Sequence, residues 1–328
     1  MPDPDERVAT GAESIPRAAG ARRLARADLA TAALLVVAAV AGFGWRLIQY
    51  WGYTVDDAYI TARYAQHVAA GHGPVYNPGE LPVEGTSNFL YVMLLALGDL
   101  AGFDLILFAK VVGVAATALC AATAAWVVWH ATGQVLAAAV AVAVLLLNAS
   151  FAFWTVGGLE TTFFAALVLG AVATAAFGHR AHHAVLLAAL VAMAAMTRID
   201  GFFLAAALLL ALVVLPSRRR FLAVGLAGAA GGVVPWLVWK AAYYGTILPN
   251  CGYAKALFDP LELVTRYPEV ASTVQAQLAL PAAFVAENTV VGAAAVAGLV
   301  WLVVRRAPAA HRLIAGATAT MSALTFAG

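Results

Sequence analysis

Two adjacent carboxylates stand where the first apolar run of the sequence ends. Asp56 and Asp57 lie in the segment TVDDAYI, after an apolar run over 29–50 that is long enough to cross a bilayer. One aspartate alone would be explained as a helix cap, because carboxylates stabilise helix N-termini. A second charge beside the low-dielectric membrane costs energy unless it is used. Paired carboxylates suit a general base, or ligands for a cation or for sugar hydroxyls, so we predict that both are catalytic.

Further polar residues interrupt the later apolar segments. Arg198 and Asp200, in MTRIDGFF, fit either a tight turn with a local ion pair or a guanidinium fork for phosphate, held by a neighbouring carboxylate. Glu84 and Asn88, in VEGTSNFL, fit ordinary turn chemistry equally well, and Glu160, in GGLETTFF, can simply complement a helix dipole. On the functional interpretation, the donor phosphate-binding candidates are Arg198, Lys255 and Arg63, and the substrate-binding candidates are Glu84, Asn88, Glu160, Asp200, Asn250 and Tyr244.

The sequence gives no sign of metal, nucleotide or nucleic-acid chemistry. It contains no phosphate-binding glycine loop, and Cys120 and Cys251 are too far apart to suggest a metal site. The net charge of +2 gives no reason to expect a nucleic-acid partner. We therefore predict no metal site and no cofactor, although carboxylates near a phosphate can hold a divalent cation.

Composition dictates which elements must position these residues. The chain is 63% hydrophobic and 11% charged, whereas about a quarter of the residues in soluble proteins are charged. Its apolar runs approach or exceed the ~20 residues that a membrane helix needs. We therefore predict an all-α, polytopic transmembrane helical bundle in contact with the lipid bilayer. The apolar runs lie at 29–50, 88–102, 105–129, 134–150, 161–178, 183–197, 199–215, 221–240, 288–304 and 311–328.

The basic residues predict the orientation, because cytoplasmic loops are rich in Lys and Arg. Residues 1–28, with four arginines near their end, are predicted to be a disordered cytoplasmic tail. The basic segments at 178–183, 216–220 and 305–312 fit one alternation of helices only if residues 88–130 contain an odd number of crossings. Because the run at 88–102 is short, we predict that it lies in the interface and does not span. The segments 51–87 and 241–286, which carry carboxylates, are then extracytoplasmic loops of a plasma (inner) membrane protein.

The first of these loops is predicted to be structured. Ile60, Tyr64 and His67 recur at helical spacing, and Gly71 and Gly73 are placed to end the helix. The segment PVYNPGELPVEGTSN that follows is rich in turn-forming residues. The loop should therefore form a cap on the membrane surface.

Four segments follow one another in this chain: DDAYITARYAQHVAAGHGPVYNPGELPVEGTSNFLY, GGLETTFF, TRIDG and YYGTILPNCGYAK. Together they resemble the GT-C superfamily of polytopic glycosyltransferases. More narrowly, they resemble the actinobacterial arabinofuranosyltransferase group that adds terminal β-(1→2)-linked arabinofuranose to cell-wall arabinan. The resemblance covers about residues 29 to 260, and residues 29–328 would form the transmembrane GT-C module.

The resemblance implies a polyprenyl-phosphate sugar donor, here decaprenyl-phosphoryl-arabinofuranose, and a glycan acceptor such as arabinan. It also implies an extracytoplasmic active site under the first outer loop. There an acidic residue takes the proton of the acceptor hydroxyl while the lipid phosphate leaves, and this single displacement inverts the anomeric centre. Carried over, Asp56 or Asp57 is the base, and Asp56 is preferred because the superfamily's acidic residue lies close after the first helix.

The chain departs from the pattern of this group. Ile199 stands where the group commonly has Pro in Arg-Pro-Asp/Glu-Gly, and Cys251 stands where Thr commonly follows Leu-Pro-Asn. These differences leave another substrate within the group open. The chain also ends inside an apolar run, so we expect a fragment that lacks the group's C-terminal helices and soluble domain.

Other functions remain open beside this leading hypothesis. One is another GT-C transferase, which would move mannose or a similar sugar to protein or lipid. A second is a membrane transporter or flippase of lipid-linked sugar, which would place charges along a path in mid-helix. Here only Lys110 lies clearly within an apolar run, which disfavours transport. A third is an assembly subunit without activity, which the carboxylates and the basic residues predicted on one face make less attractive.

Overall fold

The computed structural model describes residues 14–247, and these residues form an all-helical bundle as predicted. Apart from a short 3-10 helix at Pro216–Arg218, this part of the chain forms ten α-helices. They are α1 Ser14–Tyr50, α2 Asp56–Ala69, α3 Phe89–Leu100, α4 Leu105–Thr132, α5 Val135–Leu146, α6 Ala149–Val156, α7 Thr161–Phe177, α8 Ala181–Thr197, α9 Gly201–Val214 and α10 Arg219–Tyr244.

Three of the described helical segments are long and apolar enough to cross a membrane. They are Ala27–Tyr50 in α1, Leu105–Thr132, which is α4, and Pro216–Tyr244, which contains α10. The pair α5 and α6 would add a fourth span with a bend of 62°. Helices α3, α7, α8 and α9 are apolar but shorter. At 12 residues, α3 reaches only about 18 Å, well short of a ~30 Å hydrocarbon core.

The N-terminal boundary of α1 corrects the prediction of a disordered tail over 1–28. The helix already begins at Ser14, so the second half of that segment is helical. The sequence there is rich in Ala and Arg, which are strong helix formers. Extending a helix that the membrane span has already nucleated costs little, so these residues continue α1.

Two further boundaries differ from the predicted ones. The apolar run at 134–150 is broken before α6, because the Asn148 side chain accepts a hydrogen bond from the backbone N–H of Phe151 and caps a new helix. Helix α10 continues to Tyr244, so the second predicted loop does not begin at 241. Gly245 ends the helix with a φ of 72°, a left-handed conformation that favours glycine.

The helices run between two ends of the bundle. At one end the Arg218 guanidinium donates to backbone carbonyls where α7 ends, which brings together the two described basic segments. We call this the basic end. At the other end Lys110 donates to the carbonyl oxygens of Trp51 and Tyr53, just past α1. This is the carboxylate end, which also holds Asp56, Asp57, Glu84 and Glu160.

Helices α2 and α3 form a cap at the carboxylate end. Helix α2 occupies the segment for which the sequence predicted a short helix, and Gly71 and Gly73 follow it with φ values of 82° and 80°. Tyr64 of α2 and Tyr91 of α3 are among the largest fully buried side chains, in a common cluster with residues of α4. The burial of these rings fixes α2, and therefore its first turn, against the bundle.

Helix α4 approaches α6 and α7 closely at Gly113. A Cβ atom at this position would lie 2.0 Å from the carbonyl oxygen of Thr155. Next to this contact, the hydroxyls of Thr117 and Thr155 are 2.8 Å apart. Only glycine allows this approach of the backbones, as at many helix contacts in membranes.

Gly113→Ala should therefore destabilise the bundle. The added methyl group must displace a backbone carbonyl, so we expect a loss of about 1–3 kcal/mol in unfolding free energy, as for other overpacked cores. The thermal midpoint of the purified protein in detergent measures this loss. Gly231→Ala is the matched control, because no atom lies within 4 Å of its added Cβ. Equal midpoints for the two variants would contradict the close approach.

The two ends of the bundle should also differ in accessibility. Leu81 is 88% exposed near the carboxylate end, and Ser217 is exposed at the basic end. In a Cys251→Ser background, with Cys120 buried, we expect an impermeant maleimide to label Leu81→Cys on intact cells. Ser217→Cys should react only after permeabilisation. Labelling of both variants from the same side would refute the predicted orientation.

Candidate functional site

Asp56 and Asp57 form the first turn of α2, with Val55 as the N-cap residue. Both aspartates are exposed, and the only hydrogen bond of either side chain among the described residues is from the Asp57 N–H to Asp56 Oδ1, at 3.0 Å. The backbone N–H of Val55 donates to the carbonyl of Gly157 at 3.0 Å. Neither aspartate is therefore the N-cap residue, and both carboxylates remain open to solvent at the N-terminus of the helix.

The segment between α6 and α7 holds the aspartates in place. Gly158 has a φ of +87°, and a Cβ atom there would lie 3.0 Å from Cβ of Ala58 on α2. A glycine is thus needed both for its conformation and for the close approach. Two residues later comes Glu160, so the aspartate pair and Glu160 are brought to the same region of the carboxylate end.

Glu160 is the centre of a hydrogen-bonded network. Its carboxylate is buried, accepts from Asn88 Nδ2 at 2.7 Å, and accepts from Arg198 Nη1 at 2.8 Å. Arg198 Nε in turn donates to Asp200 Oδ2 at 2.9 Å. We call these four residues the Glu160 network. Asn88 also donates to Thr61 of α2 at 3.2 Å. Four residues predicted as site candidates are therefore linked, since Asn88 and Arg198 contact the buried Glu160 carboxylate and Asp200 contacts Arg198.

Arg198, like Asp200, faces solvent in part. Its side chain is 38% exposed, and its Nη2 has no hydrogen-bond partner in the described part of the chain. Burial lowers the pKa of the guanidinium, but the neighbouring Glu160 and Asp200 carboxylates raise it more, so the group is held in its charged form. Both alternatives from the sequence are thus compatible: a local ion pair with Asp200 exists, and one edge of the fork stays open.

Glu84 has a different environment from the one predicted for a substrate contact. Its carboxylate is buried and forms an ion pair of 2.9 Å with Lys240 of α10, which is buried as well. Burial raises the pKa of Glu84, and the hydrogen bond from Lys240 lowers it in part. A substrate cannot reach this carboxylate in the structure, so Glu84 clamps the loop to α10. The pairing of Glu84 with Lys240 was not predicted from the sequence.

Two other candidates also hold the loop. Arg63 Nε donates to the Tyr76 carbonyl at 2.8 Å, and its Nη2 donates to Asn77 Oδ1 at 3.0 Å. The Tyr244 hydroxyl donates to the carbonyl of Pro74 at 2.7 Å. Among the described contacts, neither residue is joined to Arg198. Lys255 and Asn250, predicted for phosphate and substrate, lie outside the described residues.

Lys110 is a buried cation whose role the sequence did not reveal. Its ammonium group donates to the carbonyls of Trp51 and Tyr53, where α1 has just ended. Cations stabilise helix C-termini because carbonyl oxygens are exposed there. Lys110 therefore fixes the short connection from α1 to the aspartate pair, and it lies at the carboxylate end instead of midway along a transport path. The sequence signal that Lys110 needs a polar partner was its position as a charged residue within an apolar run.

Comparison with known proteins finds no matching family model, no matching curated protein and no matching solved structure. Within residues 14–247, no group of three or more His, Cys, Asp or Glu side chains is placed to hold a metal ion. The geometry of the site is therefore the basis for any assignment of function.

Lys240→Met should show how much the buried pair stabilises the fold. Removing one partner of a buried ion pair costs about 3–5 kcal/mol, and we expect this loss at pH 8. The loss should be smaller at pH 5.5, because the unpaired Glu84 carboxyl then takes up a proton. Its folded-state pKa is raised, so stability falls as the pH rises through that value. Thermal midpoints at the two pH values measure the difference.

The double variant Glu84→Gln/Lys240→Met is the control for this prediction. It leaves no buried charge, so it should recover most of the stability and lose the dependence on pH. If it is no more stable than Lys240→Met at pH 8, lost packing around Lys240, and not the unpaired carboxylate, accounts for the effect.

Proposed function

We propose that this chain is an integral membrane glycosyltransferase of the GT-C type. It moves a sugar, arabinofuranose, from a polyprenyl monophosphate donor to a cell-wall glycan such as arabinan, on the extracytoplasmic face. The observation that carries the proposal is the position of Asp56 and Asp57. They are exposed on the first turn of a helix that is tied, through Asn88, to a network containing a partly exposed arginine.

The aspartate pair supplies the base. One carboxylate takes the proton of an acceptor hydroxyl, and the acceptor oxygen forms a bond to the anomeric carbon. The bond from that carbon to the phosphate oxygen breaks at the same time, so the configuration is inverted. The second carboxylate accepts a hydrogen bond from another sugar hydroxyl. Asp56 remains the preferred base, and both side chains meet the requirement that a base be accessible to the proton it removes.

Arg198 receives the leaving phosphate. The open edge of its guanidinium can donate to phosphate oxygens while Glu160 and Asp200 keep the group oriented. The four carboxylates of Asp56, Asp57, Glu160 and Asp200 outweigh this one positive charge. An additional cation is therefore needed to bind the anion, and Lys255 or a divalent cation would supply it.

The surroundings of Arg198 suit a lipid-linked donor. Ile199, Phe202 and Phe203 follow it in the chain and are 49%, 37% and 46% exposed. An exposed apolar surface beside a guanidinium fits a prenyl chain whose phosphate lies at the headgroup plane. The base must then stand at an end of the membrane bundle, which is where Asp56 and Asp57 lie.

Asp56→Asn and Asp57→Asn test the proposed base. In membranes supplied with a labelled prenyl-phosphate arabinofuranose and an arabinan oligosaccharide, replacement of the true base should lower kcat by about 10²–10⁴-fold. The other substitution should have a smaller effect, mainly on KM. A decaprenyl-phosphoryl-mannose donor, assayed in parallel, determines the sugar.

Asp99→Asn is the matched control, since this carboxylate ends α3 outside the site, and it should leave transfer unchanged. Wild-type transfer that persists in both the Asp56→Asn and the Asp57→Asn variants would refute the proposed base. Absence of transfer by the wild type with every lipid-phosphate donor would refute the proposed function itself.

A further inference from the structure

A pocket lies between α2 and the turn that follows it, and none of the four residues of the Glu160 network lines it. Its volume is about 330 Å³, near the lower end of the range for small-molecule sites. Ile60 and Tyr64 of α2 form one side, and the segment from Tyr76 to Gly85 forms the other. Ile60 follows Asp56 and Asp57 by one helical turn, so the pocket opens about 5 Å along α2 from them.

The residues of the pocket combine apolar surface with a few polar groups. Ile60, Leu81 and Val83 contribute aliphatic surface, whereas Asn77 and Glu80 contribute an amide and a carboxylate. The Asn77 amide donates to Glu80 Oε2 at 3.0 Å, which leaves the other oxygen of this exposed carboxylate available. Such a site matches a sugar ring, which has an apolar C–H face and hydroxyl groups at its edge.

The aromatic wall of this pocket is held in position before any ligand binds. The Arg63 guanidinium lies 4.5 Å from the centre of the Tyr76 ring and also donates to the Tyr76 carbonyl. The Tyr64 hydroxyl donates to the carbonyl of Val83 at 2.6 Å and accepts from the N–H of Gly85 at 2.8 Å. Preorganised walls reduce the cost of ordering upon binding. Through its contacts with Tyr76, Arg63 holds one wall of the pocket in position.

The charges of the pocket exclude the donor as its ligand. Glu80 would repel a phosphate, and the Arg63 guanidinium is already engaged with Tyr76 and Asn77. A prenyl or acyl chain would bury the Glu80 carboxylate without a partner, which is costly. The ligand that fits is therefore a neutral polyol.

We propose that this pocket binds a sugar ring of the glycan acceptor, one or two residues away from the hydroxyl that reacts at Asp56 and Asp57. The inference rests on the proposed function, because it names the acceptor subsite of the same site. It would make the chain select acceptors that extend beyond a single sugar. Asn77 and Glu80 would bind the ring's hydroxyls, and Ile60, Leu81 and Val83 would contact its C–H face.

Direct binding tests the pocket without requiring turnover. Titration calorimetry on the purified chain in nanodiscs, with a synthetic arabinofuranosyl tetrasaccharide and no donor, should show saturable binding by the wild type. Val83→Trp fills the pocket and should weaken binding at least tenfold. Glu80→Gln retains an acceptor for Asn77 but loses the charged acceptor for a hydroxyl, so it should weaken binding by about tenfold.

Leu100→Trp and Asp99→Asn are the matched controls and should bind as the wild type does. Neither residue lines the pocket, and Leu100 is 67% exposed at the end of α3. Gel filtration and the thermal midpoint check that each variant is folded. Wild-type affinity in Val83→Trp and Glu80→Gln, or no saturable binding by the wild type, would overturn the proposal.

Turnover of the donor distinguishes failure of the pocket proposal from failure of the proposed glycosyltransferase activity. Release of polyprenyl phosphate from the labelled donor, with water as acceptor, depends on the aspartates and Arg198 but not on the pocket. The pocket variants should show a raised KM for the tetrasaccharide, whereas Leu100→Trp and Asp99→Asn should leave both the water reaction and this KM unchanged. Oligosaccharide binding that Val83→Trp abolishes, in a chain with no donor turnover, would support the pocket and refute the glycosyltransferase.

Discussion

The buried carboxylate of Glu160 is the interaction on which the carboxylate end depends. A carboxylate removed from water is costly unless hydrogen bonds and an opposite charge compensate for it. Asn88 and Arg198 provide this compensation from two different parts of the chain. The start of α7 can therefore be buried only when the start of α3 and the turn after α8 are in place. Because Asn88 also donates to Thr61, α2 joins the same unit.

The features that could be predicted from the sequence are those set by local pattern. An acidic pair followed by helical spacing predicts α2 and its first turn, and glycines at positive φ end it. The helical class follows from composition. A boundary set by a single competing hydrogen bond is harder to predict: Asn148 caps α6 inside a run that hydropathy alone makes continuous. At Ser14 the reverse occurs, because helix propensity extends α1 beyond its apolar stretch.

The pairing of distant residues was the part that the sequence could not provide. Glu84 is followed by a polar turn and Lys240 stands in an apolar helix, and nothing local shows that their charges meet. The same holds for Glu160 and Arg198, which were placed on the same face but not in contact. The low dielectric constant near the membrane explains why both ion pairs form, because a charge there is stable only beside an opposite charge. Such residues can be recognised as needing a partner before the partner is known.

The two buried ion pairs fix different parts of the carboxylate end. The ion pair between Glu84 and Lys240 fixes the loop that follows α2 to α10. The Glu160 network fixes the starts of α3 and α7 and the turn after α8, and Asn88 links this network to α2. Both pairs engage their charges mainly with each other, whereas Asp56 and Asp57 on one element and an edge of Arg198 on another remain open to solvent. The proposed displacement between a lipid phosphate and an acceptor hydroxyl needs a base and an anion-binding group on different elements, and this arrangement is compatible with it. Because carboxylates outnumber the guanidinium of Arg198 there, the proposed anion-binding role of this residue also requires a further cation.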